Sequence, residues 1–270
     1  MTRAARQLVH DLRKVMEPNT ATRLREQKQN KIKDFMAMAG PLNVTHFLLL
    51  TQTEDTVNLR IAKFPQGPTL YFNVKAYTLH RDINKAAKRP RNFVSEFNTA
   101  PLLVLNNFNT LSGVEGKLMC TMFQGMFPTV NVHLVRLSDV RRVVLCHYNS
   151  EQDIVEVRHY AITTKMVGVN KAVKRLIRSE VPDLSNCRDI SEYIMRDGGA
   201  SDTEVEEDSV VTLAQDYGRM NRKDNRRALQ LVEIGPRLRL SLIKILDGFC
   251  AGKTLYHIEG KKKTEKKSKQ

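Results

Sequence analysis

The stretch Gly67-Pro68-Thr69-Leu70-Tyr71-Phe72-Asn73-Val74 has an echo late in the same chain, Gly235-Pro236-Arg237-Leu238-Arg239-Leu240-Ser241-Leu242. In both phrases Gly and Pro come first, Leu is fourth, and apolar residues follow at the sixth and eighth positions. A Gly-Pro pair that leads into alternating apolar residues predicts a turn followed by a half-buried strand. Two such units predict two related halves in one compact body.

Two amphipathic segments support this duplication. The predicted helices over 78–89 and 169–179 each set an apolar stripe against a basic one, with the same spacing. In the first half the Gly-Pro strand precedes its helix, and in the second half it follows. Two halves with permuted element order explain the difference, although the same spacing is common in unrelated amphipathic helices. The pattern predicts an α/β (α+β) fold of two pseudo-repeated, permuted halves.

The rest of the chain divides around these units. Periodicity predicts strands over 44–51, 57–64, 102–105 (buried), 142–147, 154–162 and 229–234, and a helix over 114–126. Thr78 is the expected N-cap of the helix over 78–89. Residues 1–36 predict a basic helical arm in two pieces, separated by Pro18, with the second piece near 20–38. The expected domains are the N-terminal arm over 1–37, a first half over 38–138, a second half over 139–258 with an acidic insertion at about 197–210, and a disordered basic tail over 259–270.

The charge balance predicts a polyanionic partner. The chain has 44 Lys and Arg residues against 29 acids, a net charge of +15, and its 41% hydrophobic content is enough for a core. The apolar runs are far shorter than a membrane span, so nucleic acid is favoured over a membrane. The four cysteines are scattered, without metal-ligand or C-x-x-C spacing, and we expect small buried side chains in a reducing compartment.

No group of residues predicts catalysis. Gly252-Lys253-Thr254 is similar to the end of a phosphate-binding loop, but the required spacing to an upstream glycine fails. The histidines are dispersed, and His147 and His159 are the one pair expected to face each other, across the 142–162 hairpin. The acidic pairs lie in a low-complexity segment, which is a poor place for a positioned general base. We expect no enzyme, no metal and no cofactor.

Basic clusters are the candidate site. For any one cluster a solvated surface is an equally simple interpretation, but several clusters together favour phosphate binding. Structured RNA suits them better than sequence-specific DNA reading, because no known DNA-reading motif is present. The expected RNA-binding residues are Arg23, Arg25, Lys28, Arg81, Lys85, Lys88, Arg89, Lys171, Lys174, Arg175, Arg178, Arg237 and Arg239.

Two longer segments carry a family resemblance. Phe64-Pro65-x-Gly67-Pro68-Thr69-Leu70-x-Phe72 and Glu233-Ile234-Gly235-Pro236-Arg237-Leu238-x-Leu240 resemble the two hallmark segments of the Brix domain. Residues 15–21, 38–46 and 101–108 resemble the Peter Pan group within that family. The match extends over about residues 8–258, and several separate blocks make it specific.

The resemblance implies two permuted halves that are each similar to an anticodon-binding domain. It also implies a non-enzymatic, nucleolar assembly factor of the large (60S) ribosomal subunit, which binds pre-rRNA and supports its folding and processing. The implied partners are large-subunit pre-rRNA, a dedicated protein partner and other pre-60S factors, with no membrane and no small-molecule substrate. The second hallmark segment, with Arg237 and Arg239, is the one linked to RNA contact. The alternatives are a mainly protein-binding module of a nuclear ribonucleoprotein complex and a subunit of an RNA-processing enzyme.

Overall fold

A computed structural model describes residues 2–27, 29–54, 56–87, 95–111, 113–129, 140–166, 210–212 and 226–258, without the side chains of residues 165 and 166. The helices are α1 (Arg3–Val15), α2 (Ile32–Ala39), α3 (His80–Ala86) and α4 (Val114–Met126). The strands are β1 (His46–Gln52), β2 (Val57–Lys63), β3 (Thr69–Thr78), β4 (Leu102–Asn106), β5 (Arg142–Asn149), β6 (Ile154–Met166), β7 (Val210–Thr212), β8 (Arg226–Glu233), β9 (Arg237–Leu246) and β10 (Thr254–His257).

The chain forms two compact units. The larger unit consists of Met1–Ala161 and Glu233–Gln270, and the smaller unit is Ile162–Val232. In the described part of the smaller unit, β7 pairs with β8 in antiparallel fashion, and the Thr163 hydroxyl donates to the Gln230 carbonyl. The acidic insertion at about 197–210, the helix over 169–179 and the tail over 259–270 fall outside the described residues, apart from Val210.

The larger unit is built on one mixed sheet. Its strand order is β1-β2-β3-β9-β6-β5-β4, and β10 pairs with the end of β9. Neighbouring strands are antiparallel except for β4 and β5, which are parallel. Together with the helices, this sheet confirms the predicted α+β class.

The two Gly-Pro strands, β3 and β9, are antiparallel neighbours at the middle of the sheet. Asn73 pairs with Ser241, which occupies the same position in the second phrase. On either side, Phe72 pairs with Leu242 and Val74 pairs with Leu240. The sixth residue of each phrase therefore pairs with the eighth residue of the other. This is the pairing that a local two-fold axis through Asn73 and Ser241 would produce.

The outer strands obey the same local two-fold relation. The β1–β2 hairpin borders β3, where Leu59 pairs with Phe72. The β5–β6 hairpin borders β9, where Val155 pairs with Leu240. In both halves the hairpin precedes the Gly-Pro strand, so any permutation concerns the helices, and the predicted helix over 169–179 lies outside the described residues.

The hydrophobic core lies on one face of this sheet. Leu8 of α1 and Met119 and Phe123 of α4 are almost fully buried against apolar strand residues such as Phe72 and Leu240. Period-2 alternation along the strands supplies the apolar face, and helical spacing supplies the facing side chains. Helix α1 is therefore part of the core, whereas the sequence analysis assigned this helical segment to a basic arm separate from the two halves.

The structure corrects several other predictions. The second helical piece predicted near 20–38 is helical only over Ile32–Ala39, because the polar residues before it have no apolar face to bury. Thr78 ends β3, and Leu79 takes the N-cap position of α3. Strand β4 is only partly buried because it is the edge strand, and Val104 is 38% exposed. The bounds predicted for α4 are confirmed, and Val114 at the start of the helix is exposed.

Candidate nucleic-acid interface

The sheet of the larger unit has a second face that carries polar and charged side chains. Along β2, β3 and β9 the buried residues alternate with these polar ones, because successive side chains of a strand point to opposite faces. We call this surface the open face. Its residues are Asn58, Arg60, Tyr71, Asn73, Glu156, Arg158, Arg237, Arg239, Ser241 and Lys244.

Arg237 and Arg239 both lie on the open face, while Leu238 and Leu240 are buried on the other side, as the alternation predicted. Arg237 donates to both carboxylate oxygens of Glu233, from Nε at 2.5 Å and from Nη2 at 2.6 Å. This two-point hydrogen bond raises the pKa of Arg237, so its guanidinium stays charged. The side chains of Arg237 and Arg239 are 49% and 54% exposed. Both guanidinium groups are thus oriented by the protein and still reach solvent.

Glu156 links two arginines across neighbouring strands. Its Oε1 lies 3.0 Å from Arg239 Nε, and its Oε2 lies 3.1 Å from Arg158 Nη2. The sequence reasoning missed Glu156, Arg158 and Glu233. Alternation in β6 could have placed Glu156 and Arg158 on one face, but their position beside Arg239 depends on long-range strand pairing.

A second group of cations lies on the other side of the local two-fold axis. Tyr71 pairs with Arg60 of β2 on one side and with Lys244 of β9 on the other. The Arg60 guanidinium carbon is 5.1 Å from the centre of the Tyr71 ring, and Lys244 Nζ is 4.7 Å from it. Both distances are within cation–π range. Desolvation by burial raises the pKa of Tyr71, so its phenol remains neutral beside the two cations.

The other predicted residues are divided between an exposed helix and an irregular segment. Arg81 and Lys85 are exposed on α3, where Arg81 forms a salt bridge of 3.3 Å with Asp82. Arg23 and Arg25 are exposed, but the backbone there is irregular and not helical as predicted. The predicted residues that fall outside the described part of the chain are Lys28, Lys88, Arg89, Lys171, Lys174, Arg175 and Arg178.

Helix α3 is attached to the second Gly-Pro turn, which leads directly into Arg237. His80 Nδ1 donates to the Ile234 carbonyl at 2.7 Å, and the His80 backbone N–H donates to Asp11 Oδ2 at 3.0 Å. Gly235 has a φ of 77°, and a Cβ at this position would overlap with Ile83 of α3. Glycine is therefore favoured by the backbone angle, and any larger residue would also have to displace the end of the Ile83 side chain.

A buried polar network, formed by Arg142 and His159, stabilises the same turn from the interior of the protein. Arg142 is fully buried and donates to four carbonyls, those of Lys14 and Val15 at the end of α1, that of Glu17 just after it, and that of Thr99. Burial lowers the pKa of Arg142 to about 10, which leaves it charged at neutral pH. The interaction is favourable because the last carbonyls of a helix carry partial negative charge.

His159 is the second buried member of this network. Its Nδ1 donates to the Gly235 carbonyl at 3.0 Å, and its Nε2 lies 3.4 Å from Arg142 Nη1. Burial lowers the pKa of His159 to about 4, so the ring is neutral at pH 7. The prediction that His147 and His159 face each other is wrong, because His147 pairs with Glu156 and His159 with Val144. The role of His159 is to anchor the turn.

Among the described residues, no group of three or more His, Cys, Asp or Glu side chains is placed to hold a metal ion. No helix in that part of the chain is both long enough and apolar enough to cross a membrane.

Comparison with known proteins fits this geometry. Residues 1–244 match the Brix domain. The chain belongs to the Brix-domain family. The resemblance to the Peter Pan group is also confirmed, since Protein Peter pan of Drosophila melanogaster is 38% identical over 253 residues, or 93% of this chain and 55% of that protein.

Two further relatives extend the comparison. Suppressor of SWI4 1 homolog of Mus musculus is 45% identical over 259 residues, which cover 94% of this chain and 55% of the relative. Ribosome biogenesis protein SSF1 of Saccharomyces cerevisiae is 36% identical over 313 residues, which cover 93% of this chain and 69% of the relative. The chain thus spans about half the length of the mouse and fly relatives that it matches.

Proposed function

We propose that this chain is a non-enzymatic assembly factor of the large (60S) ribosomal subunit, which binds pre-rRNA in the nucleolus. Two relatives in Saccharomyces cerevisiae carry the name ribosome biogenesis protein, SSF1 and SSF2. The net charge of +15 suits a partner with a phosphate backbone. In this role the chain supports the folding and processing of pre-rRNA, together with a dedicated protein partner and other pre-60S factors.

The observation that carries the proposal is the pair of oriented, exposed arginines at the start of β9. Arg237 and Arg239 are each fixed by a carboxylate, Glu233 and Glu156, and each remains about half exposed. A planar guanidinium with a fixed orientation is well suited to binding a phosphate group through two hydrogen bonds. Contacts of this kind orient an RNA without reading its bases. Arg81 and Lys85 are further exposed cations, on the helix that His80 attaches to the turn before Arg237.

A protein-binding module is the second candidate, and one group of exposed apolar residues favours it. Met38 at the end of α2 is 62% exposed, and Leu42, whose backbone N–H donates to the Met38 carbonyl, is 67% exposed. Large apolar side chains that cluster on a surface are typical of protein interfaces. The two candidates are compatible, since a protein partner on α2 would leave the open face available to RNA.

The experiment that tests the function is crosslinking of the tagged protein to RNA in cells, followed by sequencing of the attached RNA. We expect crosslinks concentrated in large-subunit pre-rRNA for the wild type and their loss in Arg237→Glu/Arg239→Glu. The matched control is Arg3→Glu/Lys117→Glu, which reverses two exposed charges on α1 and α4, the helices of the core face. Few or scattered wild-type crosslinks would contradict pre-rRNA binding and favour the protein-binding candidate. Crosslinks that persist in Arg237→Glu/Arg239→Glu would remove those two arginines from the site.

A further inference from the structure

The two sides of the open face differ in charge although the local two-fold axis relates them. Arg60, which borders Tyr71, occupies the position that Glu156 occupies beside Arg239. Likewise, Tyr71 takes the position of Arg239 in the other half. One side therefore presents arginines that are partly neutralised by a carboxylate. The other side presents an aromatic ring between two cations.

The cations beside Tyr71 are not neutralised by acidic side chains. Among the residues that the structure describes, neither Arg60 nor Lys244 forms an ion pair with a carboxylate. Arg60 Nε is buried and has no hydrogen-bond partner in that part of the chain. Because this nitrogen is buried, an added anion would meet the outer nitrogens of the Arg60 guanidinium, whose charge no carboxylate of the described residues neutralises.

Tyr71 keeps the two cations in place without cancelling their charge. Its ring attracts both through its quadrupole, whereas a glutamate in the same place would neutralise one of them. The Tyr71 hydroxyl in turn lies 3.4 Å from the Cys250 carbonyl, which ties the ring to the loop after β9. Polar side chains that can donate or accept hydrogen bonds continue the surface on the neighbouring row, namely Thr51, Asn58, Asn73 and Ser241.

We propose that Arg60 and Lys244 form a second phosphate-binding point for RNA on the open face, with Tyr71 as the residue that positions them. This inference rests on the proposed RNA-binding function and assigns a contact to the half of the sheet that lacks the basic hallmark residues. A phosphate that approaches Arg239 competes with the Glu156 carboxylate, but one that approaches Arg60 and Lys244 meets no such competitor among the described residues. Per cation removed, we therefore expect this point to contribute at least as much affinity as the arginines of β9.

The test is the affinity of the purified full chain for a fluorescein-labelled oligouridine, measured by anisotropy over a range of salt concentrations. Arg60→Gln/Lys244→Gln is expected to weaken binding by about tenfold or more, since two charge-assisted contacts are lost. The slope of log affinity against log salt should fall by about 1.4, which is the loss expected for two phosphate contacts to a single strand. Arg3→Gln/Lys117→Gln removes the same two residue types from the core-face helices and should leave the slope near its wild-type value.

Variants of Tyr71 test whether this residue positions Arg60 and Lys244 for RNA binding or only stabilises the fold. Tyr71→Phe keeps the ring and is expected to retain wild-type affinity, whereas Tyr71→Leu should weaken binding about three- to fivefold. Lys244→Arg keeps the positive charge and should therefore retain the affinity for oligouridine that Lys244→Gln loses. Thermal unfolding of each variant identifies any that fail to fold, and Lys244→Gln alone then serves as the test, because Lys244 is a partly exposed side chain.

The outcomes distinguish this proposal from the function on which it rests. If the wild type does not bind oligouridine or pre-rRNA, the proposed function and the second phosphate-binding point both fail. If the wild type binds and Arg237→Gln/Arg239→Gln weakens binding, while folded Arg60→Gln/Lys244→Gln keeps the wild-type affinity and salt slope, only the second point is refuted. That result would also be the one expected if a protein covered this side of the open face.

Discussion

The two Gly-Pro turns have similar backbone conformations but different surroundings. Gly67 and Gly235 both have positive φ angles, 98° and 77°, and both turns lead into a central strand. The residue after the first turn, Thr69, is fully buried, whereas the equivalent Arg237 is half exposed. The two turns thus share the conformation that only glycine adopts easily, while the side chains around them differ.

The first turn is packed against a loop of the same unit. A Cβ at Gly67 would overlap with the backbone of Asp247 and Gly248. Edge-to-face contacts join Phe64, just before the turn, to Phe47 and Phe249, with ring centres 6.1 and 6.0 Å apart. The contacts to the turn itself are ring contacts and close packing against backbone, and these depend little on charge.

The second turn depends on buried polar groups. The carbonyls of Ile234 and Gly235 accept hydrogen bonds from His80 and His159, and Arg142 lies beside His159. A buried network of this kind is stabilising only while every member keeps its partners. The comparison therefore implies that substitutions beneath the second turn have large effects that depend on pH, whereas those at the first turn have smaller effects that do not.

The largest expected loss of stability is that caused by Arg142→Leu. The substitution leaves up to four backbone carbonyls without their donor and removes the cation–π contact to Phe97, 4.8 Å from the guanidinium carbon. We expect the free energy of unfolding to fall by about 3 to 5 kcal/mol, measured by urea denaturation. Arg142→Lys should recover only part of the loss, because one ammonium group cannot reach all four carbonyls.

Arg239→Leu is the control for Arg142→Leu. Arg239 forms an exposed ion pair with Glu156, and such pairs contribute about 0 to 1 kcal/mol. An Arg142→Leu variant that is no less stable than Arg239→Leu would contradict the structural role given to the network.

The next effect is a pH dependence that originates at the second turn. The pKa of His159 is about 4 in the folded protein, below its ordinary value of 6.5. Between these two pH values the unfolded chain therefore binds more protons than the folded protein. The contribution of His159 to the free energy of unfolding is fully present above pH 6.5 and is lost as the pH falls toward 4. We expect His159 to account for about 2 to 3 kcal/mol of that loss, measured as urea unfolding at a series of pH values.

His159→Gln isolates this contribution. The glutamine has an amide donor for the Gly235 carbonyl but does not titrate, so the variant should be less stable at pH 7 and show a flatter pH profile between 4 and 6.5. His46, whose pKa is also lowered by burial, acts in the same direction in both proteins and cancels in the difference. Identical pH profiles for the two proteins would show that His159 is not the group responsible.

Local sequence pattern was sufficient for much of this fold. The Gly-Pro turns, the alternation in β3 and β9, the β5–β6 hairpin and the bounds of α4 all follow from neighbouring residues. The exposed position of Arg237 and Arg239 followed from the same alternation. Residue composition alone was misleading in the segment before Ile32, which has helix-forming residues but no apolar face to pack, and is not helical.

Long-range pairing explains what the sequence did not reveal. The adjacency of β3 and β9, and with it the positions of Arg60, Tyr71 and Lys244, depends on residues far apart in the chain. Arg142 was not expected in the interior, because arginine is rarely buried without several partners, and its carbonyl partners come from distant backbone segments. Period-2 alternation in β6 would have allowed Glu156 to be placed on a face, but not beside Arg239.

The smallest effect compares the two equivalent positions directly. The Thr69 hydroxyl donates to the Gly248 carbonyl at 2.7 Å and accepts from the Cys250 N–H at 2.8 Å. Thr69→Val keeps the shape but leaves both groups unpaired, and we expect a loss of about 1 to 2 kcal/mol that is the same at pH 5 and pH 7. Arg237→Val at the equivalent position should change stability by less than about 1 kcal/mol, because only an exposed ion pair is removed. If the two substitutions lowered the free energy of unfolding equally, or if the effect of Thr69→Val grew at low pH, the proposed difference between the two turns would be contradicted.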